Sequence, residues 1–320
     1  MSNPSLDPDA PPPATAPAAP AEPTPQQRLE LARAAGDALL RLRGPNELHA
    51  AVLALLLPAG SHRARRAWRA ETDAQPGAAA LREQLLHLPE NARLPWLETL
   101  VSRLRDHSLD TRQALLAATR RVMAARGVVR PIDRLHWLAM RQWLGEGTAA
   151  QRHAAASEDL SRLPQGEVSA IAAYTAFLSR LVPVDVTDTP REAADAAPFD
   201  ATATVVLSPA PPRSPAAASA GPAWYDAVMT PWRAHANVPP CQPPDTDGLV
   251  HALHELQAMA WMQRPMLVRR WVTAAHEHAA ASASGRLENS AADALRLSCT
   301  LLDSPLPPEL AQHFGGSITP

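Results

Sequence analysis

VMAARGVVRPID, Val122 to Asp133, joins two segments of helical periodicity across a single glycine. Upstream, Leu115, Leu116, Thr119, Val122 and Met123 recur at helical spacing; downstream, Ile132, Leu135, Leu138 and Ala139 do the same. Each set falls on one face of a helix, which is the face that seeks a core. The first helix ends at Gly127, and Pro131 suits the first position of the second, where a missing N–H costs nothing. Helix, glycine corner, helix is compatible with a DNA-reading helix-turn-helix, a cation-binding loop or a plain packing corner.

The upstream helix begins where Asp110 followed by Gln113 forms a capping-box pattern, with Ser108 as the alternative cap. Further out, Leu97, Leu100, Val101 and Leu104 form another inward stripe, and Leu249, Leu253, Leu256 and Ala260 repeat it late in the chain. The apolar fraction of 46% rests on alanine and leucine and only 4% of residues are aromatic, so the composition predicts an all-α fold.

The 320 residues suit one large or two small domains. Residues 1–26 are almost all Pro, Ala, Ser, Thr and Asp and read as a disordered arm, because they carry too little apolar surface to offset ordering. Residues 27–182 form a first helical block, 183–244 a Pro/Ala-rich linker containing SPAPPRSPAAASAGP, 245–312 a second helical block, and 313–320 a tail.

A formal net charge of -2 argues against a chain that coats nucleic acid or an anionic membrane over its whole surface, although it leaves room for a local basic patch. Lysine is absent, so every fixed positive charge is an arginine, which reads as a coding bias rather than a mechanism. Cys241 and Cys299 lack CxxC spacing, and Cys299 sits in an apolar helical pattern as an inert buried thiol. The start lacks signal-peptide order, and AAVLALLLPAG from Ala50 is about half the ~20 residues a membrane span needs. These features predict a cytoplasmic protein without a transmembrane segment.

Few residues offer chemistry. Arg130, Arg134 and Arg141 on the second helix of the corner are placed to touch phosphates, but Trp137 and Trp143 among them suit a core helix with a solvated face equally well. His251 and His254 share a helix face, yet HELQA from His254 lacks the second histidine of HExxH, and His276 and His278 diverge around their helix. No GxSxG, Walker-type loop or GxGxxG is present. No residue is assigned a catalytic or metal-binding role, and no cofactor is expected.

ARLPWLE from Ala92, RLRDHS from Arg103, and the corner at Gly127 resemble, without a gap from about Ala92 to Trp143, the soluble region that follows the catalytic domain in HtpX-type membrane zinc metallopeptidases. LHAAVLALLL from Leu48 is similar to the stretch just upstream. HELQAM from His254, Arg264-Pro265, SGRL from Ser284 and LLDSPLPP from Leu301 are similar to its later words, in the same order. That region is itself similar to the TerB fold of tellurite-resistance proteins, whose acidic turns hold a divalent cation. The resemblance therefore implies a TerB-like helical bundle.

The departures narrow what it implies. Arg126 stands where the family has Asp, and Asp133 where it has Glu; at the second turn, around Gly285, Ser284 replaces Asp and Ala291 lies near the expected Glu. A hard cation needs several oxygen ligands, so no metal is expected at Gly127 and little at Gly285. The VMAARGVVRPID corner then reads as a cation-type turn stripped of its charge, with Gly127 and Pro131 kept for packing. The HExxH segment and membrane helices are absent from the chain.

The resulting expectation is a non-catalytic helical interaction protein that binds a protein partner, such as a membrane metallopeptidase or an envelope-stress component, and reaches the inner membrane through it. A split or degenerate member of the peptidase family and a helix-turn-helix nucleic-acid binder are the alternatives. Trp and Arg predominate at binding hot spots, which nominates Trp137, Arg141 and Trp143 for an interface.

Overall fold

The computed structural model describes residues 23–58, 60–145, 159–182, 215–281 and 286–315. Most of the expected N-terminal arm, residues 183–214, Gly285 with Ser284, and residues 316–320 of the tail lie outside them. Thirteen α-helices and no strand occur among the described residues, as the alanine- and leucine-rich composition predicts. The first seven are α1 (Pro25–Arg41), α2 (Pro45–Leu56), α3 (His62–Thr72), α4 (Ala78–Leu85), α5 (Glu90–Leu104), α6 (Leu109–Ala124) and α7 (Pro131–Leu144). A one-turn 3-10 helix at Leu160–Arg162 leads into α8 (Gln165–Leu178) and α9 (Pro215–Met229). Another, Thr230–Trp232, precedes α10 (Thr246–Ala258), α11 (Gln263–Ala281), α12 (Asn289–Leu301) and α13 (Pro308–Gly315).

Local chemistry sets where these helices start. Thr24 and Gln27 close a reciprocal capping box at α1, with hydrogen bonds of 2.8 and 3.3 Å. Proline opens α1, α2 and α7 at the position where its fixed φ is already helical. At α6 the cap is Ser108, whose hydroxyl accepts from Thr111 N at 3.3 Å, while Asp110 lies within the first turn. The Asp110–Gln113 pattern therefore sits two residues too late; a serine followed by a helical first turn competes for the same orphan N–H groups and takes them.

Five helices end on an arginine borrowed from elsewhere in the fold. Arg103 of α5 donates to Leu39 and Leu42 O at the end of α1, and Arg93 of α5 donates to Ala54, Leu55 and Leu57 O at the end of α2. Arg112 reaches Leu144 and Gly145 O at the end of α7, Arg264 reaches Gln257 and Met259 O at the end of α10, and Arg270 reaches Ala227 and Val228 O near the end of α9. A guanidinium suits this task because its planar fork spans two or three carbonyls at the negative end of a helix. The arginine-only composition thus has a structural use beyond any coding bias.

The expected linker over 183–244 is too long. Residues 215–244 hold α9, and Trp224, Tyr225, Val228, Met229 and Trp232 are buried. Tyr225 donates to Pro239 O at 2.5 Å, and Gln165 of α8 pairs with the Asn237 backbone through bonds of 2.8 and 3.0 Å. Gly221 explains how α9 seats on α8: a Cβ there would lie 2.4 Å from Ser179 O, so only glycine permits the approach. The surrounding Pro and Ala masked a short aromatic signal that pays for its own ordering by burial.

The two expected blocks share one core. Buried side chains form one cluster from Ala35 to Phe314. Tyr174 of α8 stacks on Trp271 of α11 with ring centroids 5.4 Å apart and meets Ser298 Oγ of α12 at 3.1 Å, while Trp271 Nε1 donates to Thr175 Oγ1 at 3.0 Å. Helix α7 packs against α12, and Gln142 donates to Thr300 O at 3.0 Å.

Candidate functional site

The α6–α7 corner is built as expected in outline and differently in charge. Gly127 adopts φ +80°, a left-handed conformation that a side chain would strain, and its N–H closes on Ala124 O at 3.1 Å. Asp133 then turns back on the corner: its carboxylate accepts from Arg130 N at 3.0 Å and from Arg126 Nη1 at 3.0 and 3.1 Å, with Arg130 side-chain bonds at 3.1 and 3.3 Å. The carboxylate is buried and Arg126 nearly so. The corner has therefore kept its charge, with one carboxylate held between the guanidinium groups of Arg126 and Arg130. Arg126 faces an acid in the fold, so the repulsion expected of it beside a cation is replaced by attraction.

Of the three residues nominated for an interface, Arg141 is exposed and Trp137 and Trp143 are half-buried, with Trp143 packed on the core. Helix α7 is contacted by α5, α6 and α12, and Arg134 is itself half-buried. Among the chain's eight tryptophans, Trp68, Trp96, Trp224, Trp232 and Trp271 are buried, and Trp261 alone is exposed, at 53%. Sequence periodicity missed it because Trp261 lies in the two-residue turn before α11, outside any stripe.

Trp261 begins an apolar face. Met262 and Met266, one helical turn apart, are also exposed, and Met266 forms part of the wall of a groove of about 590 Å³. Pro231, Trp232 and Ala227 close the opposite wall, and Arg269, Thr273 and Glu277 continue the α11 side. The wall at Trp232 is tied down: Trp232 Nε1 donates to Leu160 O at 2.5 Å, and the Arg270 guanidinium stands 5.6 Å over the Trp232 ring while it caps α9. A methionine pair beside a tryptophan offers an adaptable apolar surface, framed here by fixed charges of both signs.

A second polar constellation lies where α5, α12 and α13 meet. Asp293 Oδ1 is shut off from solvent without a hydrogen-bond partner. Burial pushes its carboxyl up to about 8; Arg296 opposes the shift, Glu98 and Glu90 reinforce it, and Arg93 opposes it. Around it, Arg296 donates to Glu98 Oε2 at 2.5 and 2.9 Å, and Asn289 donates to Glu90 Oε2 at 2.9 Å. His313 of α13 meets Asn289 Oδ1 at 2.9 Å, and Arg296 lies 4.6 Å over the Phe314 ring. This network fixes α13 on the core.

The histidines and thiols fall where their spacing placed them or deeper. His251 and His254 are exposed on α10. Cys299 is buried and desolvation drives its thiol up to about 12, so it stays protonated at neutral pH; Cys241 is half-buried, 3.3 Å from Ser179 Oγ. Among the described residues no group of three or more His, Cys, Asp or Glu side chains is arranged to hold a metal, and no helix is long and apolar enough to cross a membrane. No protein-family model matches the chain, and no characterised protein or solved structure matches it either.

Proposed function

We propose that this chain is a non-catalytic helical interaction protein whose docking face is Trp261, Met262 and Met266 with the adjoining groove. The single observation that carries the reading is the exposure of Trp261 beside two exposed methionines, in a fold that buries five other tryptophans. Exposed tryptophan is a residue type enriched at binding hot spots, and Arg269 lines the groove that Met266 joins to this patch. In this reading the partner is a membrane metallopeptidase of the HtpX type or an envelope-stress component, as the resemblance of Ala92–Trp143 implies, and the chain reaches the membrane through it.

The test is in-cell photocrosslinking from position 261 of the tagged full chain, with captured proteins identified by mass. Recovery of an HExxH membrane protein, lost when Trp261→Glu and Met266→Glu are introduced together, is the expected result. An unchanged set of captured proteins in that double variant, with its helical circular dichroism intact, overturns the docking face. Capture that depends on Trp261 but contains no membrane protein overturns the peptidase partner.

A further inference from the structure

Helix α3 carries five basic residues within eight: His62, Arg63, Arg65, Arg66 and Arg69. His62, Arg65, Arg66 and Arg69 line a shallow concavity of about 200 Å³, and Arg65 Nη2 stands 3.0 Å from His62 Nδ1. Among the described residues no carboxylate pairs with any of these arginines. The one acid of the helix, Glu71, is held by Arg121 at 2.5 Å. Four guanidinium groups thus face solvent, or lie near it, without internal neutralisation, in a protein of nearly zero net charge. Such a concentration of one sign is complementary to an anionic partner.

A neighbouring feature says which partner. Arg63 turns toward the α6–α7 corner, its Nη1 3.9 Å from where a Cβ on Gly127 would stand. Just beyond Gly127, Val128 is 75% exposed and Val129 50%, followed by the half-exposed side chain of Arg130. Two adjacent exposed valines at the corner tip thus stand next to Arg63 of α3.

We infer that α3 and the α6–α7 corner form a face that binds an anionic phospholipid bilayer. The arginines meet headgroup phosphates while Val128 and Val129 enter the boundary between headgroups and acyl chains. A nucleic-acid backbone satisfies the arginines equally well but leaves the valines in water against phosphate, which is why the lipid surface is the better fit. This face is independent of the Trp261 docking face and does not rest on the proposed protein partner.

Co-sedimentation of the full chain with phosphatidylcholine vesicles, with and without phosphatidylglycerol, tests it. Expected are binding only when phosphatidylglycerol is present, loss of binding at high salt, and roughly hundred-fold weaker partitioning when Arg63, Arg66 and Arg69 are all changed to Ser. Val128→Ser with Val129→Ser weakens partitioning by roughly ten-fold while keeping the salt dependence, a readout that does not rely on the arginine variant folding. Equal binding to both vesicle types, no binding to either, or unaltered binding by both variants overturns the inference. So does displacement by millimolar inorganic phosphate, which assigns the concavity to a free anion. A duplex-DNA gel shift abolished by the arginine substitutions, without vesicle binding, overturns it in favour of nucleic acid.

Discussion

Gly127 and Asp133 do separate jobs in the same corner, and substitutions separate them. Gly127→Ala places a Cβ in ordinary contact with Arg63 Nη1 at 3.9 Å but at φ +80°, so the cost is backbone strain of about 1 kcal/mol, read as a lowered midpoint in urea. Asp133→Asn is more severe: it leaves the nearly buried Arg126 charge without its carboxylate, and about 3 kcal/mol of stability is expected to go. Asp293 behaves in the opposite sense. Its carboxyl titrates near 8 in the fold against roughly 4 in the unfolded chain, so between those values the folded state holds a proton that the unfolded state has released. Its contribution is therefore fully present below about pH 4 and declines as pH rises toward 8. Asp293→Asn, which cannot ionise, is expected to match the parent at low pH and to exceed it by about 1 kcal/mol or more at pH 8, measured by urea unfolding across pH. A parent and variant with parallel pH profiles would mean that Asp293 is ionised in the fold.

At the scale of the helix, the recurrent device is an arginine that closes another helix's C-terminus. Arg93 is the deepest case, with one guanidinium nitrogen within 3.4 Å of three carbonyls at the end of α2. Arg93→Met preserves much of the apolar stem but strands those carbonyls, and a loss of about 2 kcal/mol is expected, with faster amide exchange confined to the last turn of α2. Arg93→Lys should recover only part of this, because its ammonium ends a shorter stem than the terminal guanidinium nitrogen that makes all three contacts. Helix α9 tests the packing of the Pro/Ala-rich segment: Trp224→Ala is expected to cost about 4 kcal/mol, whereas a linker residue would be neutral. Its alanines favour helix, but burial of Trp224, Tyr225 and Val228 against α8 and α11 is what gives that helix a place.

For the molecule as a whole, the consequence of one core is one transition. Tyr174, Thr175, Trp271 and Ser298 bind α8, α11 and α12 through a single stack and two hydrogen bonds, so residues 27–182 cannot keep α8 covered without the later helices. Urea unfolding followed by far-ultraviolet circular dichroism and by tryptophan fluorescence should coincide in one midpoint. Two separated transitions would show that the early and late helices hold independent cores.

Periodicity and composition determined the helical class, the inward stripes such as Leu97, Leu100, Val101 and Leu104, and the corner at Gly127 and Pro131, all of which are local properties of backbone and spacing. They also placed His251 and His254 on one helix face, because three-residue spacing fixes a shared face without the fold. What only the tertiary structure decided is which partner each side chain meets. Arg126 became the counter-ion of Asp133, Trp137 and Trp143 were half-buried while Trp261 was left in solvent, and residues 215–244 joined the core through Gly221 and Trp224. Exposure and pairing of this kind arise from contacts between residues distant in the chain, and no local pattern of spacing or composition carries them.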